Sequence, residues 1–385
     1  MSEPRVRVVL GHAAIGAWSG GRYLHFGQAI DEQRLCALLR PDRDLRTVLT
    51  ADVYGQGEGD ALVGRALAGL PRSSFSLVGA IGHDFVDGER EGPRGFPRFT
   101  DPRLRGPEGY RDYVRGAVDR SLERCGVSSF DVLLLHNPDR RGFESPEVWD
   151  ALSEVRDEGL AGALGVAPGP ANGFVLDLIG CLERYGGVID WAMVILGPLE
   201  PWPGELVLDA CAAHEVSVIT RVVDYGGLFW DDVLPGHELA PGDHRAFRPH
   251  GWIEAGREKL DRMRPLGERH GLTPLQLACQ WNLAHGSVRC VVPTLIQETG
   301  PGTRPIEEKR AELAALPAKV RLSGAEIDEL RSIGDNSGSM TLKGASPEHD
   351  GDECPDRWGL RAGHEELARR HGIDPAADLR KLAVR

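Results

Sequence analysis

The sequence lacks any apolar run that approaches the roughly 18 residues of a membrane-spanning helix. Its first residues, MSEPRVRVVLG, also lack the long apolar core of a secretory signal peptide. A net charge of −13 argues against a nucleic-acid partner, because an acidic chain repels phosphate backbones. These features predict a cytoplasmic protein that binds a small-molecule substrate, with neither nucleic acid nor a membrane as a partner. They leave the oligomeric state open.

No two of the seven cysteines form a Cys-x-x-Cys pair. They are scattered, odd in number and mostly inside apolar patterns, which predicts free thiols in a reducing compartment. The acidic and histidine residues of 349–354 match no zinc-ligand spacing, so we expect no metal site there. Abundant Arg, Gly and Ala with few Lys favour a bacterial gene of high GC content.

Short apolar runs typical of strands buried on both faces alternate with helical patterns along the chain. Because eight such units follow one another, we predict an α/β fold, a (β/α)8 TIM barrel. A doubly wound sheet is the alternative, but no Gly-x-Gly-x-x-Gly follows the first strand. The predicted strands are residues 5–10, 47–51, 75–81, 131–136, 161–166, 188–196, 216–220 and 288–293.

Two stretches lie outside the repeat. Residues 226–251 predict a long loop after strand seven, rich in Trp, His and Arg. We assign residues 1–335 to the barrel and 336–385 to a C-terminal extension over or beside it. Trp358 and Leu360 favour packing of that extension over disorder.

Several motifs, in order and at barrel spacing, resemble the aldo-keto reductase superfamily over roughly residues 8–333. They are TADVYGQGEGDALVGRAL, FDVLLLHNPD, GALGVAPG and LTPLQLACQWNLAHGSVRCVVP. The resemblance implies a reductase that binds NADPH without a Rossmann fold and uses an Asp, Tyr, Lys and His tetrad. In such a tetrad Tyr donates a proton to the carbonyl oxygen, Lys paired with Asp lowers the tyrosine pKa, and His orients the carbonyl.

The resemblance assigns the catalytic tyrosine to Tyr54 and the histidine to His136. At the aspartate and lysine positions stand Leu49 and Ala80. Losing the lysine alone would leave the aspartate buried and unpaired, which is energetically costly. Because the aspartate and the lysine are both absent, this cost is avoided, and the ion pair is missing as a unit. Asp52 does not fill the aspartate position, because it lies two residues before Tyr54, whereas the family's aspartate lies five residues before its tyrosine. The alternative for Tyr54 and His136 is a buried side chain without a chemical role.

The positions that hold the cofactor in the family are also altered. Ala167-Pro168 replaces the Ser-Asn clamp for the carboxamide, and Met193 replaces the strand-six Gln. Arg304 and Lys309 are candidates for holding a phosphate, or else belong to a solvated helix start. NADP(H) therefore remains possible at an eroded site, and the cofactor is unknown.

Further candidates lie near the predicted strand ends, where a barrel builds its active site. His12 and His83 are expected at the mouth beside His136, where they supply proton transfer, bind a metal, or simply pack. Arg221 is a candidate for binding the cofactor or a polar substrate. The remaining candidates, for substrate binding, are Trp18, Asp224, Trp230 and Trp252.

Three functions remain open. The first is a non-redox enzyme (lyase, dehydratase or isomerase) acting on a carbonyl or hydroxyl of a sugar-like or natural-product-like molecule. Its acid/base groups are Tyr54 and His136. The second is an NADPH-dependent carbonyl reductase with an atypical tetrad, and the third is a non-catalytic ligand-binding relative.

Overall fold

The computed structural model describes residues 8–92, 95–169, 175–337, 363–374 and 377–378. Within this part, eight parallel strands follow one another in the order β1 to β8. A parallel bridge from Ala13 to Val291 joins the first strand to the last. The predicted (β/α)8 TIM barrel is confirmed. The strands are β1 Ala14–Gly16, β2 Thr47–Leu49, β3 Ser76–Ile81, β4 Phe130–His136, β5 Ala161–Ala167, β6 Trp191–Ile195, β7 Ser217–Arg221 and β8 Val288–Val292.

Helices surround the barrel, and their ends follow the sequence signals. Thr273 caps α9 with a capping box before Pro274, and Gly126 ends α3 in a left-handed conformation. The helices are α1 Glu32–Leu39, α2 Glu58–Leu67, α3 Tyr110–Cys125, α4 Arg140–Glu144, α5 Pro146–Asp157, α6 Val175–Tyr185, α7 Leu208–Ala213, α8 Trp252–Arg269, α9 Pro274–Leu283, α10 Ile306–Ala314, α11 Gly324–Gly334 and α12 His364–Arg370.

The predicted position of the first strand is wrong. Of residues 5–10, only 8–10 are described, and they form no strand. The residues that pair with β2 are instead Ala14, Ile15 and Gly16. Gly16 suits this place because a Cβ there would lie 2.4 Å from the Trp18 ring. His12 consequently precedes β1 instead of following it, and its Nε2 lies 3.0 Å from the Leu316 carbonyl oxygen.

A small apolar cluster fills the inside of the barrel. Leu49 and Ala80, which are 1% and 4% exposed, both belong to it, together with Val132 and Met193. The positions of the missing ion pair are therefore part of a continuous apolar core. Replacing a buried ion pair by packed apolar side chains is energetically neutral or favourable, so the fold loses nothing by the exchange.

The long loop after β7 is fastened to two other loops. Arg245, 2% exposed, donates to Glu298 at 2.5 Å and to Asp243 at 2.7 Å. Asp243 also accepts from the Gly27 backbone N–H at 2.7 Å. Because Gly27 follows β1 and Glu298 follows β8, the loops after β7, β8 and β1 form one connected layer.

Only α12 and a few neighbouring residues of the extension are described. Arg370 of α12 pairs with Glu183 of α6 at 2.7 Å, so this helix lies against the outside of the barrel. Trp358, Leu360 and residues 349–354 lie outside the described residues.

In the described part, no helix is long and apolar enough to span a membrane. The six described cysteines are free thiols. Among all residues that the structure describes, no group of three or more His, Cys, Asp or Glu side chains could hold a metal ion.

Candidate active site

Tyr54 stands just after β2, in a short turn that leads into α2. Its ring lies edge-on to two others, with centroids 6.1 Å from Trp18 and 6.0 Å from His136. Desolvation raises the pKa of Tyr54 to about 12, against a smaller lowering by the charge of Arg221. The phenol is therefore protonated at neutral pH and can act as a proton donor.

His136, the last residue of β4, is 7% exposed. Its Nδ1 is buried without a hydrogen-bond partner among the described residues. Burial, with smaller contributions from the charges of Arg221 and Arg98, lowers the pKa of His136 to about 3. The imidazole is neutral at physiological pH, so one ring nitrogen carries no proton and can accept a hydrogen bond, while the low pKa makes it a weak base.

His83 lies beside His136, with ring centroids 5.2 Å apart. Arg98 Nη1 lies 2.9 Å from its Nδ1, and the Asn137 amide nitrogen lies 3.0 Å from its Nε2. Burial, followed by the charge of Arg98, holds the pKa of His83 well below its usual range. Both ring nitrogens of His83 therefore have polar neighbours within the protein.

Arg98 is a site residue that sequence reasoning missed. It comes from the loop after β3 and also donates to the backbone oxygen of Asn137. The surrounding stretch, GPRGFPRFTDPRLRG, contains four arginines, and nothing in their spacing separates Arg98 from the others. Asn137, directly after β4, has a positive φ of +48°.

Arg221, the last residue of β7, faces the same site. Its Nη2 donates to the carbonyl oxygens of Pro168 at 2.9 Å and Gly169 at 3.2 Å. Its Nε is buried and has no partner among the described residues. Burial lowers the pKa of Arg221, while Tyr54 acts in the opposite direction. A guanidinium remains charged at any ordinary pH, so Arg221 places a positive charge in this site. Ala80, which stands at the position of the family's lysine, carries none.

Asp52 does not replace the missing carboxylate. It is 2% exposed, and burial followed by the nearby charge of Asp60 holds its pKa well above the usual range. The other charges that act on it come from Arg124 and Arg120 of α3. Asp52 therefore belongs to the layer between barrel and helices.

Lys309 and Arg304 are both engaged with protein carboxylates. Lys309 is fully buried, and its Nζ lies 2.6 Å from Asp232 and 2.6 Å from the Ile296 carbonyl oxygen. Arg304 pairs with Glu312 at 2.7 Å. Neither charge is left free for a phosphate.

Asp224 and two of the tryptophans hold loops together. Asp224 accepts from the backbone N–H of Thr294 at 2.7 Å and of Gly227 at 3.0 Å. Trp230 is fully buried and donates to the Thr294 carbonyl oxygen at 2.8 Å. The guanidinium carbon of Arg248 lies over the Trp252 ring, 4.8 Å from the ring centroid. Of the four predicted substrate-binding residues, Trp18 is the one brought against Tyr54.

The residues present do not fit a nicotinamide dinucleotide. Ala167 and Pro168 bring no side-chain hydrogen-bond donor to the carboxamide position, and Met193 is packed in the barrel core. The candidate phosphate cations are neutralised by buried acids. Arg304 and Lys309 therefore offer no free charge to a pyrophosphate, whose desolvation is costly, and we derive no catalytic step through this group.

The buried neutral state of His136 predicts a loss of stability in acid. Its folded pKa is about 3, whereas an unfolded histidine has a pKa of roughly 6.5. The unfolded chain therefore binds the extra proton between these values, and stability is lost as pH falls through them, by up to about 1.4 kcal/mol per pH unit.

Urea unfolding at a series of acidic pH values measures this loss. The variant His136→Gln is expected to show a shallower decline of stability than wild type. The exposed His250→Gln is the matched control and should keep the wild-type decline. A His136→Gln profile identical to wild type would show that His136 is not held neutral in the folded chain.

Comparison with known proteins gives the family of this chain. The family described as "Aldo/keto reductase family" matches residues 14–335. A D-threo-aldose 1-dehydrogenase from a Pseudomonas species is 26% identical over 331 residues, covering 80% of this chain and 90% of that protein. Aldo-keto reductase yakc (NADP(+)) from Schizosaccharomyces pombe is 24% identical over 337 residues, covering 84% and 89%.

Solved structures show the same barrel. A glycerol dehydrogenase from Gluconobacter oxydans aligns with a TM-score of 0.64 at 22% identity, covering 86% of this chain and 93% of that protein. Since the family match spans most of the chain, including all eight strands, the protein belongs to the aldo/keto reductase family.

Proposed function

We propose that the protein is an acid/base enzyme acting on a carbonyl or hydroxyl group of a sugar-like or natural-product-like small molecule. Its chemistry is non-redox: lyase, dehydratase or isomerase. The observation that supports this most strongly is the cluster of Tyr54, His136 and Arg221. It gathers a neutral acid, a neutral base and a cation, while the positions of the usual ion pair are apolar.

Each group has a role that follows from its protonation state. Tyr54 donates its hydroxyl proton toward the substrate oxygen as negative charge develops there. Arg221 stabilises that charge, as a positioned cation does best in a site with little water. His136, uncharged, accepts the proton that leaves a neighbouring carbon or hydroxyl. Enolisation moves one proton from carbon to His136 and one from Tyr54 to the substrate oxygen. Isomerisation then returns a proton to a neighbouring carbon, whereas elimination releases a β-hydroxyl as water with the proton held by His136, and in neither case do electrons pass to a cofactor.

An NADPH-dependent carbonyl reductase is the second candidate. It is favoured by the family itself and by relatives such as the NADP(+) reductase from Schizosaccharomyces pombe. In this case Arg221 acts as the cation beside Tyr54 in place of the missing lysine. The two candidates differ in whether turnover needs the nicotinamide.

A paired screen tests the proposal. Sugars and natural-product-like ketones are incubated with the full chain, once with NADPH and once without, and products are followed by NMR. We expect conversion or exchange of protons next to the carbonyl in the absence of NADPH, and no change in NADPH absorbance in its presence. NADPH consumption with any carbonyl in the panel would support the reductase instead.

A further inference from the structure

Two buried polar atoms at the barrel mouth lack partners among the described residues. One is Nε of Arg221, and the other is Nδ1 of His136. A buried donor left without a partner destabilises a fold, and more so when it carries charge. The charge of Arg221 acts on both His136 and Tyr54, whose ring centroids lie 6.0 Å apart, so the two atoms belong to one site. This site is suited to a ligand that accepts hydrogen bonds.

The charge of Arg221 has no acidic counterpart in the described part of the chain. Besides burial, the group that influences its pKa is Tyr54, and no carboxylate adds to it. The acidic residues near the strand ends are used elsewhere: Asp84 pairs with Arg105, and Asp139 accepts from Thr100. The ligand that completes this site therefore brings the negative charge.

The guanidinium is also held in a fixed orientation. Its Nη2 is anchored by two carbonyl oxygens, of Pro168 and Gly169. This leaves Nε as a donor that a ligand oxygen can reach, and a carboxylate brings both such an oxygen and a negative charge. One unpaired positive charge matches a carboxylate monoanion, whereas a phosphate dianion would leave a negative charge uncompensated.

We propose that Arg221 is a specificity-determining residue that binds the carboxylate of a small oxo or hydroxy acid, beside Tyr54 and His136. The inference rests on the proposed function and names its substrate class. The uncharged Tyr54 and His136 meet the rest of the substrate without repelling its carboxylate. The acid is bound through Arg221, and its carbonyl or hydroxyl group lies toward Tyr54.

Binding of acid and ester pairs tests the proposal without requiring turnover. The probes are pyruvate and 4-oxopentanoate, each with its methyl ester, titrated into the full chain and followed by calorimetry and ligand-observed NMR. We expect the acids to bind at least about tenfold more tightly than the esters. Arg221→Gln should abolish this preference, while Arg221→Lys should retain part of it because a point charge remains.

Arg289→Gln is the matched control, because Arg289 is an exposed arginine of β8, and it should keep the full preference. Urea unfolding checks each variant; should Arg221→Gln not fold, weaker acid binding with unchanged ester binding in Arg221→Lys carries the test. Equal affinity for acid and ester overturns the proposal, as does a preference that survives in Arg221→Gln, or no binding of either acid at millimolar concentration.

The outcomes also separate this inference from the proposed function. Acids that bind through Arg221 but are reduced by NADPH would support the inference and contradict non-redox chemistry. Cofactor-free turnover of neutral substrates, with no binding of either acid, would support acid/base chemistry and overturn the inference.

Discussion

Tyr54→Phe is expected to lower the turnover of the substrate by about 10²–10³-fold, with the fold unchanged. Phenylalanine keeps the ring contacts with Trp18 and His136 and removes only the hydroxyl. Since the hydroxyl stabilises charge that develops on the substrate oxygen, its loss should reduce kcat far more than substrate affinity. Steady-state kinetics with the substrate found in the paired screen measure the effect.

Tyr185→Phe is the control for this experiment. It also removes a hydroxyl that forms a hydrogen bond, to the Glu144 carbonyl oxygen at 2.6 Å, but on α6 outside the barrel. Its turnover should stay at the wild-type level. If Tyr54→Phe keeps full turnover, Tyr54 is not the acid of the reaction. Biological activity that survives both Tyr54→Phe and His136→Ala would instead favour a non-catalytic relative.

Lys309→Met is expected to lower the free energy of unfolding by about 3–5 kcal/mol. Lys309 is fully buried, and its removal leaves Asp232 without its cation in the interior. Burial lowers the pKa of the lysine, and the Asp232 charge opposes that shift, so the two side chains depend on each other. Urea unfolding monitored by circular dichroism measures the change.

The double variant Lys309→Met with Asp232→Leu gives the matched comparison. It removes both charges and replaces them with apolar side chains, so most of the lost stability should return. The exposed Lys319→Met should be neutral. A stable Lys309→Met that has lost affinity for NADPH would instead show that Lys309 binds a cofactor phosphate.

Most of the fold could be predicted from the sequence because the barrel strands are buried on both faces and read as short apolar runs. Strands β2 to β8 begin and end within three residues of the predicted bounds. The exception is β1, where Ala14, Ile15 and Gly16 lack the β-branched pattern that residues 5–10 display. At Gly16 the Trp18 ring lies too close for any side chain, and this tertiary contact cannot be seen in the sequence.

The site was predictable only where a motif marks a strand end. Tyr54 and His136 could be placed near strand ends because the flanking residues fix their position in the barrel, and their ring centroids lie 6.0 Å apart. His12 was misplaced together with β1. Arg98 was missed because it reaches His83 from inside a loop of 15 or more residues, where no periodicity constrains position. The partners of Lys309 and Arg304, Asp232 and Glu312, became visible only through tertiary contacts.

The measurement that tests the central claim most directly is a calorimetric titration of the full chain with NADPH. If the site works by acid/base chemistry without a nicotinamide, we expect no binding in the micromolar range and no change in tryptophan fluorescence. Binding at low micromolar affinity would contradict the account. It would show that the loops after β7 and β8 open for a dinucleotide, despite the buried ion pairs of Arg245 and Lys309.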